Sequence, residues 1–294
     1  MSQYSNHLFE PGSKNNSWSH LYEYISEGDN VLDVGCSSGN FGEVLIKLKK
    51  CTVTGIDLDR ADIDKASKKL TKAIIGDIND ESMRKKLGTY DIIIFADVIE
   101  HLPDPRETLK NIKGLLSKNG KIIFSIPHMA HISVRIDLLA GSFPYKNRGL
   151  LDKTHFHFYD QNELVSVFAD AGYKISNYNP VISRYPRELI KDKLQKNGLS
   201  FNSKFIENLQ NTGGDIFQFI GCAMPTNDTK KTSLPDYKMP QDEVYDFAQQ
   251  VIGENKELHN QIIDLQKAKE QEEARITRRI NRKLNKITKS LKKR

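Results

Sequence analysis

The chain is poor in the residues that mark several common architectures. Cysteine occurs only at Cys36, Cys51 and Cys222, scattered and without the paired spacing of a zinc site or a disulfide framework. No apolar run approaches the roughly 20 residues needed to span a bilayer. The opening stretch, MSQYSNHLFEPG, has no apolar signal core, so residence in the cytoplasm is expected. A net positive balance is also absent outside the last two dozen residues. The 294 residues carry a formal net charge of +6. Residues 271–294 hold ten Lys or Arg against two Glu, whereas residues 1–270 hold 34 basic and 36 acidic side chains. A nucleic-acid surface needs basic residues spread over one face, so the body argues against that partner. A hydrophobic content of 38% is enough for a core and excludes general disorder.

Short β-branched runs recur at Asn30–Val34, Thr52–Ile56, Ala73–Ile75, Tyr90–Phe95 and Lys121–Ile126. Each is a continuous apolar run of strand length, as in parallel strands covered on both faces. Helical stretches at 40–50, 60–70, 80–88 and 105–118 separate them. This alternation predicts an α/β, doubly wound and mostly parallel sheet. Residues 129–160 break the rhythm and are expected to form a long loop with one short helix. A helix over 161–172, a strand over 173–179, a helical insertion over 184–211 and a strand over 215–223 follow, the two strands forming an antiparallel end to the sheet. Residues 1–224 thus form one domain and 225–241 a linker. Over 242–294 the apolar residues from Phe247 to Leu291 fall on an 11-residue repeat, which predicts a long amphipathic helix or coiled coil with a basic end at 271–294.

The chemistry is concentrated in VLDVGCSSGNFG, residues 31–42. A strand runs into a glycine-bearing turn and then a helix, whose N-terminus favours negative charge. The turn does not fit a dinucleotide site, because the second and third glycines of G-x-G-x-x-G are replaced by Ser37 and Asn40. Asp33 at the strand end would repel a pyrophosphate but hold an ammonium. Asp57 lies 22 residues after Gly35, where an acid accepts a ribose diol. Asp77 follows the next strand, placed to accept an adenine amino group. A nucleoside with a cationic amino-acid tail satisfies all three acids.

VLDVGCSSG, GIDLD, the GDI triplet, YDIIIFADVIEHLPDP and LLSKNGKIIFSIPH, in that order, resemble the class I S-adenosylmethionine-dependent methyltransferase family, in its small-molecule and glycan branch. The resemblance runs from Val31 to about Tyr173 and more weakly to Ala223. It implies a seven-stranded Rossmann-like sheet with an antiparallel last strand, and S-adenosylmethionine as cofactor. It places the methionine end at Asp33, Gly35, Cys36 and Gly39, the ribose at Asp57 and Leu58, and the adenine at Asp77 and Ile78. Ala96, Asp97 and His101 would line the sulfonium side. Ser37 stands where the family often has glycine. Trp18 and Tyr4 are candidates for an N-terminal cover over the cofactor.

Methyl transfer to a hydroxyl needs alignment and a base. The loop after Ile126 holds four of the eight histidines. His155 is the first candidate for general base and His128 the second, because neutral imidazole accepts a proton near neutral pH. In THFHFY an extended backbone would put His155 and His157 on one face. His131, Arg135, Tyr145, Arg148 and His157 are candidates for the acceptor site. With no partner cysteine and no second tight spacing, the histidines are not read as a metal site. The loop also resembles methyltransferases of surface-glycan and lipid-linked sugar pathways, so a small-molecule or carbohydrate hydroxyl is the expected acceptor. The tail suits coiled-coil self-association or an anionic membrane surface. The alternatives are a non-catalytic scaffold acting through the tail and an RNA methyltransferase.

Overall fold

The computed structural model describes residues 16–228, 233–235 and 245–246. The chain divides into two units, Met1–Tyr245 and Asp246–Arg294. Tyr4 and the basic end 271–294 lie outside the described residues. Of the helix expected over 242–294, only Tyr245–Asp246 is described, as a two-residue strand.

Among the described residues, nine strands form one mixed sheet: β1 Asn30–Val34, β2 Thr52–Asp57, β3 Lys72–Ile75, β4 Tyr90–Ala96, β5 Leu116–Pro127, β6 Tyr173–Tyr178, β7 Val181–Arg184, β8 Ile216–Pro225 and β9 Tyr245–Asp246. The order is β3-β2-β1-β4-β5-β8-β7-β9, with β6 also pairing β8. The first five strands are mutually parallel. β8 runs antiparallel to β5, β6 and β7. The expected parallel core and antiparallel end are therefore present, but seven strands become nine. The added β7 and β9 are short and lack the long apolar runs that marked the others.

The α-helices among the described residues are α1 Ser17–Glu23, α2 Asn40–Lys49, α3 Arg60–Ala66, α4 Glu81–Arg84, α5 Pro105–Asn111, α6 Ile132–Leu139, α7 Gln161–Asp170, α8 Arg187–Lys196 and α9 Ser203–Leu209. Asp59, Asp80, Asp104, Asp160 and Asn202 cap α3, α4, α5, α7 and α9 by accepting from backbone N–H groups, satisfying donors that the first turn leaves free. Several helices stop short of the apolar pattern. The α3 helix ends at Ala66, because Leu70 turns inward over Gly42 and Gly55. A Cβ on either glycine would lie within 2.5 Å of the Leu70 methyls. After α5 the chain tightens into a 3-10 turn at Lys113–Leu115, which lets β5 begin at Leu116.

Alternating strand residues supply two cores. Leu32, Ile93, Phe95, Phe124 and Phe219 pack with Leu109 of α5 and Phe168 of α7. On the other face Val31, Ile92, Ile94, Ile123 and Ile220 pack with Leu21 of α1, Leu45 of α2 and Ile63 of α3. Among the described residues, no helix is long and apolar enough to cross a membrane.

Candidate functional site

Strand order reverses between β1 and β4, and ligands in open α/β sheets bind beyond the strand ends at such a point. A cavity of about 820 Å³ opens there. The end of β1 supplies Asp33, Gly35, Cys36 and Ser37, β2 supplies Asp57, and β4 supplies Ala96 and Asp97. Pro127 of β5 and Gln218 of β8 close the sheet side, and Asn16–Trp18 cover it from the N-terminal segment. Trp18 stacks at a tilt on Phe41, 5.2 Å between centroids.

The turn after β1 is backbone-limited. Gly35 has φ +71°, and a Cβ there would meet a Val98 methyl at 2.6 Å. Gly39, the N-cap of α2, has φ +75°. Between them Ser37 takes φ +47°, a conformation unfavourable for a side-chain-bearing residue. Its N–H donates to Asp57 Oδ2 at 2.8 Å. Asp57 Oδ1 accepts from Asp59 N–H at 2.9 Å. These two bonds fix the Asp57 carboxylate and leave further lone pairs on both oxygens.

Asp33 is 4% exposed. Burial, and secondarily the Asp57 carboxylate, push its acid up to about 7. A buried acid beside a second acid favours a cation as ligand, which fits the ammonium of an amino-acid tail. The Cys36 thiol is pushed up by burial and by Asp33, so it stays protonated and is no nucleophile.

Asp97 is also held in the left-handed region, φ +55°. Its Oδ1 accepts from Ser125 Oγ at 2.9 Å and from the Gln218 amide. Beyond it lies Glu100, 1% exposed, with neither carboxylate oxygen hydrogen-bonded. Burial raises its acid well above the ordinary value, with Asp97 adding to the effect. Its Oε1 is 4.0 Å from His155 Nε2. His101 packs edge-on against His155, 4.8 Å between centroids. Burial, then His101, lower the His155 imidazolium acid, favouring the neutral base.

The structure brings together Asp33, Gly35, Cys36, Asp57, Ala96, Asp97, His101 and His155, all in the cavity wall. Other expected residues fall elsewhere. Gly39 shapes the turn without lining the cavity. Leu58 is 71% exposed, and Ile78 is buried in the core. Asp77 is exposed, with Oδ1 accepting from the backbone and side chain of Asn79. His128 is not placed as a base. It is 1% exposed, its Nδ1 is 2.9 Å from the Ile216 carbonyl, and its ring rests on Phe219. His131 is likewise structural, spanning Ser133 Oγ and the Ser183 carbonyl at 2.8 Å each. Both rings satisfy carbonyls near the register shift between β7 and β8.

Arg135 turns away to Thr212, donating to its hydroxyl at 2.6 Å and its carbonyl at 2.8 Å. His157 lies 3.2 Å from the Pro103 carbonyl. Tyr145 is 61% exposed beside Phe143, and Arg148 is exposed. None of these four lines the cavity. Residues 155–159 do alternate, but only His155 reaches the cavity. Sequence reasoning misses Glu100 and Gln218. Glu100 precedes His101 in IEHLPDP, where an acid at a strand-end turn is visible. Gln218 has no local signal, because the pairing of β8 brings it to the site.

Residues 13–178 match a family described as "Methyltransferase domain". The chain belongs to this methyltransferase family. S-adenosylmethionine is its cofactor, as the Asp33 and Asp57 geometry fits. A ubiquinone biosynthesis O-methyltransferase of Coxiella burnetii is 35% identical over 105 residues, 34% of this chain and 44% of that protein. The namesake from Acinetobacter baylyi is 27% identical over 172 residues, 54% of this chain and 71% of that protein. The chain thus spans less than half the length of the Coxiella relative. A solved methyltransferase from Archaeoglobus fulgidus is 18% identical, with 70% of this chain and 91% of that one superposed at TM-score 0.49.

Proposed function

We propose that this protein transfers a methyl group from S-adenosylmethionine to a hydroxyl of a small-molecule acceptor. When bound, the cofactor supplies the activated methyl and the sulfonium leaving group. The observation that carries the reading is one cavity with two chemically distinct ends. Asp33 and Asp57 form an acidic end suited to an ammonium and a ribose diol. Glu100 and His155 form the other end, where a hydroxyl proton can be drawn off. If this pair acts alone, His155 is the base, neutral and held close to the buried Glu100 carboxyl. The relatives named for ubiquinone biosynthesis support O-methylation of a small molecule. Carbohydrate hydroxyls, suggested by the loop sequence, form the second acceptor class. The basic stretch 271–294 is read as a tether to an anionic membrane surface. Its deletion should abolish sedimentation with anionic vesicles and leave turnover intact.

The test is transfer of labelled methyl to a panel of phenols, quinols and glycans. A hydroxyl-bearing acceptor should yield a labelled methyl ether. His155→Ala should lower kcat by roughly 10²–10⁴-fold, with cofactor affinity within a few-fold of wild type. An undiminished kcat in that variant would refute the role of His155. No product and no cofactor heat by calorimetry would favour a non-catalytic scaffold.

A further inference from the structure

Four cavity-wall residues close a ring of hydrogen bonds around the acid at the end of β2. Asp57 Oδ2 accepts from Ser37 N–H at 2.8 Å, and its Oδ1 accepts from Asp59 N–H at 2.9 Å. Asp59 Oδ1 in turn accepts from Asp62 N–H at 3.1 Å. Ser37 Oγ donates to Asp62 Oδ2 at 3.3 Å, a long bond that completes the circuit. All four residues line the cavity. Asp62 is buried, and its Oδ1 accepts from Lys65 Nζ at 2.9 Å. Earlier in the turn, Gly35 and Cys36 are pinned to β2 by their N–H groups, which both donate to the Ile56 carbonyl. Ser37 instead ties the turn to α3 through its side chain. Its backbone makes that bond informative. A glycine would take φ +47° at no steric cost, whereas serine takes it against one. Such outliers persist where the surroundings over-determine them. The bond to Asp62 offsets the cost, and the conformation it holds aims the Ser37 N–H at Asp57.

We propose that Ser37 and Asp62 are positioning residues for the Asp57 carboxylate and so set how strictly this protein demands a ribose diol on its cofactor. The proposal rests on Asp57 as the ribose acceptor. A carboxylate that accepts from two adjacent hydroxyls presents one lone pair to each, so a small rotation of its plane weakens both bonds together. The Ser37 N–H holds one Asp57 oxygen and the Asp59 N–H the other, which fixes that plane. Asp62 supports both holds. Its carboxylate steadies Ser37, and its N–H steadies Asp59. Lys65 keeps the Asp62 carboxylate in place from the half-exposed side. The ring surrounds the ribose acceptor and stands apart from the groups assigned to the hydroxyl proton. Its effect therefore falls on cofactor binding and leaves the transfer step alone.

The test is calorimetric titration of the full chain with S-adenosylhomocysteine and with its 2′,3′-dideoxyribose analogue. The wild-type chain should prefer the diol by roughly 10–100-fold, since the analogue leaves a charged acceptor unmet. Ser37→Ala and Asp62→Ala should each cut that preference by about tenfold. They should do so by weakening the diol ligand, with affinity for the dideoxy analogue unchanged. The double variant should be no worse than the weaker single, because both remove one interaction. With S-adenosylmethionine as substrate, KM should rise in Ser37→Ala and kcat should hold. Unchanged affinity for the dideoxy analogue also shows that a variant is folded, so a collapsed variant cannot pass as a positive result. Wild-type diol preference in both single variants overturns the proposal, as does equal loss of both ligands in a folded variant or strict additivity in the double. If Asp57→Ala abolishes the preference while Ser37→Ala keeps it, Asp57 stands as the ribose acceptor and the positioning role falls. A wild-type chain that binds both ligands equally well removes the Asp57 assignment and the proposal with it.

Discussion

At Asp33 the pH dependence has a definite sign. Its acid rises from 3.8 to about 7 through burial and then through Asp57. Because the folded value lies above the unfolded one, protonation stabilises the fold at acid pH, and this contribution is lost as pH rises from about 4 to about 7. Cofactor binding runs the other way, since an ammonium selects the ionised carboxylate. Affinity for S-adenosylmethionine should therefore strengthen with pH by up to about tenfold per unit below pH 7, then level off. Calorimetry between pH 5.5 and 8.5 measures this. Asp33→Asn should flatten the profile and weaken binding, and it should raise the thermal midpoint of the ligand-free protein at pH 8. An unchanged profile in that variant would mean another group controls binding.

Elements set the limits on the turn and its supports. Gly35 combines φ +71° with only 2.6 Å between the place a Cβ would take and a Val98 methyl. Gly35→Ala should cost about 1–3 kcal/mol in chemical denaturation and abolish measurable cofactor binding. Gly55 lies on β2, where a Cβ would meet Leu70 at 2.5 Å and Cys36 Sγ at 2.6 Å. Gly55→Ala should destabilise by about 1–3 kcal/mol through overpacking, with a smaller effect on binding than Gly35→Ala. The strands were legible because burial on both faces leaves continuous apolar runs, as in Ile92–Phe95 of β4. Helix ends were less legible. The inward turn of Leu70 and the 3-10 turn at Lys113–Leu115 depend on partners distant in sequence.

Across the whole molecule, β8 ties the parallel sheet to its antiparallel end. Phe124 of β5 packs on Phe168 of α7, 4.5 Å between centroids, and opposite it in register stands Gly221 of β8. A Cβ at Gly221 would approach Phe124 to 2.5 Å, so this pair fixes how closely β5 and β8 fit. Phe124→Ala should cost about 3–5 kcal/mol in equilibrium unfolding. A cost under about 1 kcal/mol would mean that the sheet joint is not a principal source of stability. The same strand carries Gln218 to Asp97, so the antiparallel end also completes the cavity wall.

The sequence alone determined the parallel core, the turn after β1, and the acids Asp33 and Asp57, because these features are local. Each is written in a short run of residues whose period, glycines or strand-end position carry the signal. Only the tertiary structure separated the histidines. His128 and His131 meet backbone carbonyls of β8 and β7, whereas His155 stands beside Glu100 and His101 in the cavity wall. His128, His131 and His155 come from one loop of similar composition. Their roles follow from long-range strand pairing and burial, which decide the hydrogen-bond partner each nitrogen finds.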